Sequence, residues 1–218
     1  MDYADARRRM VDGQLRPNRV TDPRVLDAMR ELPREDFLPT AVRARAYADE
    51  DVPLVGGRAL LAPMVIARLA QLAAVRPGDR ALVVCAGTGY GAAVLARCGA
   101  RVTAIESDAS LAATAGKALA ANLPAGAVRI EAARPTEGFP GGAPYDVILI
   151  EGEVPEMPAT IAEQLAEGGR LVTVLGARRR NGVAVLARRL GGAVTVAPVF
   201  DCATVALPDF LPAPGFVF

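Results

Sequence analysis

The chain of 218 residues contains no histidine. That absence removes Ser-His-Asp and Cys-His nucleophile systems, because each needs an imidazole to take the proton. Histidine-ligated zinc is excluded with them, and three scattered cysteines, Cys85, Cys98 and Cys202, make a poor substitute set. The cysteines form no CxxC pair, which fits a reducing compartment. Acid–base chemistry is left to carboxylates, Tyr, Cys, Lys117 or the groups of a substrate. No apolar run approaches the roughly 18 residues of a membrane helix, so no membrane contact is expected. The amino-terminal stretch "MDYADARRRM" has no apolar signal core, so export is not expected and a cytoplasmic location is. There is no internal repeat and no low-complexity linker. A net charge of +1 gives no strong pull toward nucleic acid.

What is present is apolar. Hydrophobic residues make up 52% of the chain, enough for a sizeable core and too many for a disordered segment. The length suits one α/β domain with a small extension. Residues 1–55 read as a helical amino-terminal extension, and 56–218 as one compact α/β unit. In "DPRVLDAMREL", Val25, Leu26, Met29 and Leu32 fall on one helical face, with Asp22 and Pro23 as a start signal. "LLAPMVIARLAQLAAV" reads as a second apolar helix closed by "RPGD".

Strands and helices then alternate. The expected strands are Ala81–Cys85, Arg101–Glu106, Val128–Glu131, Tyr145–Ile150 and Arg170–Leu175. Helices are expected around Tyr90–Arg97, Ser110–Asn122 and Ala159–Ala166. Strands apolar on both faces and separated by helices indicate a parallel sheet covered on both sides. The end differs: strand, Asn181-Gly182 turn, strand, Gly191-Gly192, strand. The expected architecture is a doubly wound, mostly parallel seven-stranded sheet ending in an antiparallel hairpin. Arg178–Arg180 beside the turn read as a solvated hairpin tip or a nucleic-acid patch.

Ligands on such sheets bind beyond the carboxyl ends of the strands, at the switch point. That rule selects Cys85–Gly91, Glu106, Arg134 and Glu151–Val154. Glu106 ends the apolar strand "RVTAIES", one βα unit after a glycine turn, where a carboxylate can accept both hydroxyls of a ribose. The other reading is a solvated acid at a strand end. Cys85 reads as a small residue packing in a turn, or as a thiol activated by a helix amino terminus. Glu151 and Glu153 read as pocket acids or solvated loop residues, and Arg58 as a surface arginine or an anion contact.

The chain resembles the protein-L-isoaspartate O-methyltransferases, which use S-adenosylmethionine and the class I methyltransferase fold. The likeness runs over most of the chain: "MVDGQL", "TDPRVLDAMRELPREDFLP", "AYADEDVPLVGGR", "RPGDRALVVCAGTGYGAAVLA" and "APYDVILIEGEVPEMPATIAEQLAEGGRLVTVLG". The resemblance implies methyl transfer to an isoaspartyl carboxylate of a protein or peptide substrate, by a monomer or homodimer. It places the cofactor against Cys85, Gly87, Thr88, Gly89, Glu106 and Arg134. Several positions depart from the family pattern. Val83 stands where the family loop has an acid, and Cys85 where it has its first glycine. Arg134 replaces an acid that accepts the adenine amine, and arginine can only donate. Leu61 replaces a serine that touches the substrate carboxylate, and Glu151 and Glu153 belong to "EGEVPEMP", where the family is rich in Ala and Thr. Two alternatives follow from these departures: a methyltransferase acting on another acceptor such as an amine, or a non-catalytic binding module on the same fold.

Overall fold

The structure is a computed structural model that describes residues 2–176 and 182–211. The Arg178–Asn181 part of the expected hairpin tip lies outside the described residues.

The amino-terminal segment forms helices α1 (Tyr3–Met10) and α2 (Pro23–Glu31), joined by a π-helical turn over Val11–Leu15. The expected start signal of α2 is there: the Asp22 side chain accepts from the Arg24 backbone N–H, and Pro23 opens the first turn. Its apolar face, Val25, Leu26, Ala28 and Met29, is buried. A short antiparallel pair, β1 (Val52–Pro53) with β2 (Ala59–Leu60), leads into α3 (Pro63–Ala73). That helix ends at Ala74 in the left-handed region, φ +47°.

The main sheet contains β3 (Arg80–Val84), β4 (Arg101–Ile105), β5 (Val128–Glu131), β6 (Tyr145–Val154), β7 (Leu165–Leu175), β8 (Gly182–Leu190) and β9 (Ala193–Cys202). Their spatial order is β5-β4-β3-β6-β7-β8-β9. The first five pair in parallel, and β8 and β9 add on antiparallel. The doubly wound sheet with an antiparallel end therefore stands as the sequence indicated. Helices α4 (Tyr90–Arg97), α5 (Ala109–Asn122) and α6 (Ala159–Ala162) follow β3, β4 and β6. The amino-terminal helices share one apolar cluster with the sheet, including Met29, Leu69, Val83 and Leu149.

Two boundaries differ from expectation. The helix expected over Ala159–Ala166 is one turn long, and β7 begins at Leu165, opposite Tyr145. The strand expected to stop at Ile150 continues to Val154 through a bulge: Leu149 pairs with Val172 and Glu153 with Val174. Gly152 makes that bulge possible. Its φ is +152°, and a Cβ there would lie 2.6 Å from Leu207.

Candidate functional site

The carboxyl ends of β3, β4 and β6 meet at the switch point, where the loop Cys85–Gly89 crosses the sheet. The loop is tightly wound. Cys85, Gly87 and Gly89 have φ of +57°, +55° and +90°. Gly89 N–H donates to Ala86 O at 2.7 Å, and Ala86 N–H to Ile105 O at 3.1 Å. A Cβ on Gly89 would lie 3.2 Å from Ala115 and Leu119, so α5 packs directly on the turn.

Glu106 sits just past β4 and is 1% exposed, so it is not a solvated acid. Its Oε2 accepts from Gly87 N–H at 2.8 Å and from Arg58 Nε at 3.1 Å; its Oε1 accepts from Asp108 N–H at 3.0 Å. Arg58 is likewise buried, which corrects the surface-arginine reading. Its Nη1 donates to Asp209 Oδ2 at 2.7 Å and its Nη2 to Ser107 Oγ at 3.2 Å. Burial pulls the Arg58 guanidinium down, but Asp209 and Glu106 more than offset it and hold its pKa above the usual value.

Asp209 belongs to a strap over residues 203–211 that folds back onto the crevice. Glu153 N–H donates to Val205 O at 2.8 Å and Leu207 N–H to Glu153 O at 2.9 Å. Leu207 is fully buried in the apolar cluster that holds Val84, Cys85 and Ile150. Asp51 ties the strap down: Oδ2 accepts from Val205 N–H at 3.0 Å and Thr204 Oγ at 2.7 Å, while Oδ1 accepts from Ala62 N–H at 2.7 Å.

The other expected positions are distributed around this centre. Thr88 is buried, and its hydroxyl has no hydrogen-bond partner among the described residues. Cys85 is buried too; burial pushes its thiol well above the usual range, against a smaller pull from Arg58. The activated-thiol reading of Cys85 therefore fails, because desolvation outweighs the helix terminus. The Arg134 side chain is 82% exposed and paired to Glu137 at 3.3 Å. Leu61 lies in the apolar cluster, and its carbonyl accepts from Arg34 Nη2 at 2.8 Å. The Arg34 guanidinium stacks on the Tyr90 ring at 4.6 Å.

Glu151, in the β6 bulge, is buried rather than a solvated loop residue. Its carboxylate lies against α4, where a Cβ on Gly91 would be 2.2 Å from Oε1, and that oxygen has no hydrogen-bond partner among the described residues. Burial first, then the Glu106 charge, push its pKa up to about 8. Glu153 is half-buried, and burial raises it as well. Sequence reasoning passes over Asp51, Leu207 and Asp209: Leu207 and Asp209 sit in no motif, and Asp51, within "AYADEDVPLVGGR", has nothing local to show its partners on the strap.

The family model described as protein-L-isoaspartate(D-aspartate) O-methyltransferase matches residues 6–210. The chain belongs to this family. A protein-L-isoaspartate O-methyltransferase of Methanoregula boonei is 42% identical over 187 residues, covering 85% of each chain. One from Roseiflexus castenholzii is 38% identical over 207 residues, covering 95% of this chain and 94% of its own. Among solved structures, a Plasmodium falciparum chain of the same name, in complex with S-adenosyl-L-homocysteine, superposes with a TM-score of 0.78. It is 20% identical and covers 93% of this chain and 98% of its own, so it bears on the fold.

S-adenosylmethionine is the cofactor of the isoaspartyl methyltransferases. In the conformation described, groups of the protein itself occupy the crevice positions that the cofactor would contact. Val83, in the place of the loop acid, is fully buried and has no acceptor group. Gly87 is buried, with Leu54 and Arg58 in ordinary contact range of it. Both Glu106 oxygens already hold donors, one of them a guanidinium. Arg134, the expected adenine contact, faces solvent.

Proposed function

We propose that the chain retains the reaction class of its family, S-adenosylmethionine-dependent methyl transfer to an isoaspartyl carboxylate of a protein or peptide. Family membership across residues 6–210 carries this reading. The fold supports it by assembling the glycine turn and Glu106 at the switch point, where α/β sheets hold ligands. A net charge of +1 and three buried, unpaired cysteines agree with a protein or peptide partner, no nucleic acid and a reducing cytoplasm. No described helix is long and apolar enough to cross a membrane.

One observation favours a second reading. A ribose anchor must offer its oxygens to the crevice, and here Arg58 takes one of them. A non-catalytic binding module is the function this arrangement would serve if the crevice never opens. The assay is methyl transfer from labelled S-adenosylmethionine to an isoaspartyl peptide, with its aspartyl isomer as control. Transfer selective for the isoaspartyl form supports the first reading. No transfer, with no S-adenosylhomocysteine bound at millimolar concentration, leaves the second.

A further inference from the structure

We propose that Arg58 is a built-in competitor of the cofactor: its guanidinium takes the Glu106 carboxylate that a ribose needs, and the 203–211 strap holds it there. The inference rests on the methyltransferase reading, because it concerns the same crevice. Three observations lead to it.

The first is the Glu106 carboxylate. Gly87 N–H and Arg58 Nε meet at its Oε2, and Asp108 N–H is at its Oε1. With the residue 1% exposed, a ribose hydroxyl reaches this carboxylate only by replacing one of those donors. The two backbone N–H groups are fixed by the fold. Among side-chain donors, Ser107 Oγ reaches Oε1 only at 3.5 Å, whereas Arg58 Nε is at 3.1 Å from Oε2 and sits on a long side chain that can move.

The second is how Arg58 is held. Its guanidinium is a planar fork, and here the fork spans two structures: Nε and Nη2 serve Glu106 and Ser107 at the end of β4, and Nη1 serves Asp209 on the strap. The strap is anchored independently by Asp51, by its backbone pairing with Glu153 and by Leu207 in the apolar cluster. A Cβ on Gly57 would be 2.4 Å from Pro208, so the strap also closes on the turn that carries Arg58.

The third is the space beside it. A recess of about 440 Å³ lies next to the pair, lined by Gly56, Arg58, Ser107, Asp108, Pro208 and Asp209. It gives Arg58 somewhere to go. If ribose hydroxyls replace Nε at Glu106, Arg58 keeps Asp209 and neither charge is left buried alone. Cofactor binding and release of the latch are then one exchange, and the apparent affinity is lowered by the fraction of molecules that are latched.

The test is calorimetry with S-adenosylhomocysteine on the parent, Arg58→Gln and Arg58→Lys, together with amide hydrogen exchange across 204–211. Arg58→Lys keeps a cation beside Glu106, so its fold is protected, but an ammonium lacks the fork that joins Glu106 to Asp209. Arg58→Gln is expected to bind at least tenfold more tightly than the parent, with Arg58→Lys in between. Ligand is expected to speed exchange at the Phe210 and Leu211 amides of the parent. Equal affinity in all three folded proteins overturns the latch and leaves the methyltransferase reading standing. If none of them binds, Arg58→Gln included, there is no cofactor to compete for, and both the latch and the methyltransferase reading fall.

Discussion

Arg58 Nε and Glu106 Oε2 lie 3.1 Å apart at the carboxyl end of the sheet, and both side chains are almost fully removed from solvent. The same Glu106 oxygen accepts from Gly87 N–H at 2.8 Å. One carboxylate therefore fixes the glycine turn and neutralises the buried arginine. A glutamine at this position has a single acceptor oxygen and must turn its amide toward a donor. Glu106→Gln is expected to lower stability by about 1–3 kcal/mol, the scale of hydrogen bonds to a charged group. Because Arg58 and Glu106 act as a pair, combining Glu106→Gln with Arg58→Met should cost less than the sum of the two single changes. Urea titrations of the four proteins measure this, and strict additivity would refute the coupling.

The buried Glu151 carboxyl gives stability a pH dependence of definite sign. Its pKa rises from 4.5 unfolded to about 8 folded, because burial, and then the Glu106 charge, disfavour the anion. The folded state thus binds a proton that the unfolded state releases. The stabilisation is complete below the unfolded pKa and is lost as pH rises toward the folded one. At about 1.4 kcal/mol per pH unit, the parent should lose about 2–3 kcal/mol between pH 5.5 and pH 7.5. Glu153, also raised by burial, acts in the same direction. The chain has no histidine to confuse this window. Glu151→Gln cannot ionise and should flatten most of the slope. Denaturant midpoints at the two pH values check it; parallel slopes in parent and variant would count against a neutral Glu151.

Asp51 joins the turn before α3 to the strap, accepting from Ala62 N–H, Val205 N–H and Thr204 Oγ. Asp51→Ala removes the acceptor for all three donors and should cost about 2–3 kcal/mol. The loss should be local as well as global. Exchange of the Val205 amide should accelerate before the core strands respond, since the strap opens by itself once its anchor is gone. Acceleration only together with β3 and β6 would mean that the strap has no independent opening.

Much of this arrangement is legible in the sequence. The alternation of main-sheet strands with helices follows from Val-, Ile- and Leu-rich runs, and the glycine turn and Glu106 follow from their place after β3 and β4. What is not legible depends on tertiary geometry. The short α6 and the long β6 reflect a bulge that lets Gly152 meet Leu207, more than fifty residues later. A solvated fate for Glu151 is a fair reading of "EGEVPEMP", because nothing local says that the bulge turns its carboxyl toward Gly91. Arg58 looks like a loop arginine until the fold brings it Glu106 from the middle of the chain and Asp209 from near its end.

The thiol of Cys85 offers a final prediction about the crevice. Cys85 holds a left-handed φ of +57°, which costs a side-chain-bearing residue about 1–2 kcal/mol relative to glycine. Its buried side chain recovers part of that by packing in the cluster with Leu207 and Ile150. The two contributions oppose each other, so Cys85→Gly should change stability by less than about 1 kcal/mol. Reactivity is more telling. Burial pushes Cys98 and Cys202 up to about 11 and Cys85 higher still. At pH 8 roughly one thiol in a thousand or fewer is then ionised, and the reactive species is the thiolate. All three cysteines should therefore label slowly with an aromatic disulfide reagent in the folded parent and rapidly in urea. Arg58→Gln, which loosens the cover over Gly87, should speed labelling of Cys85 more than that of Cys98, with mass spectrometry assigning the sites. Rapid labelling of Cys85 in the folded parent would show that the helix terminus wins over burial and that the crevice stands open.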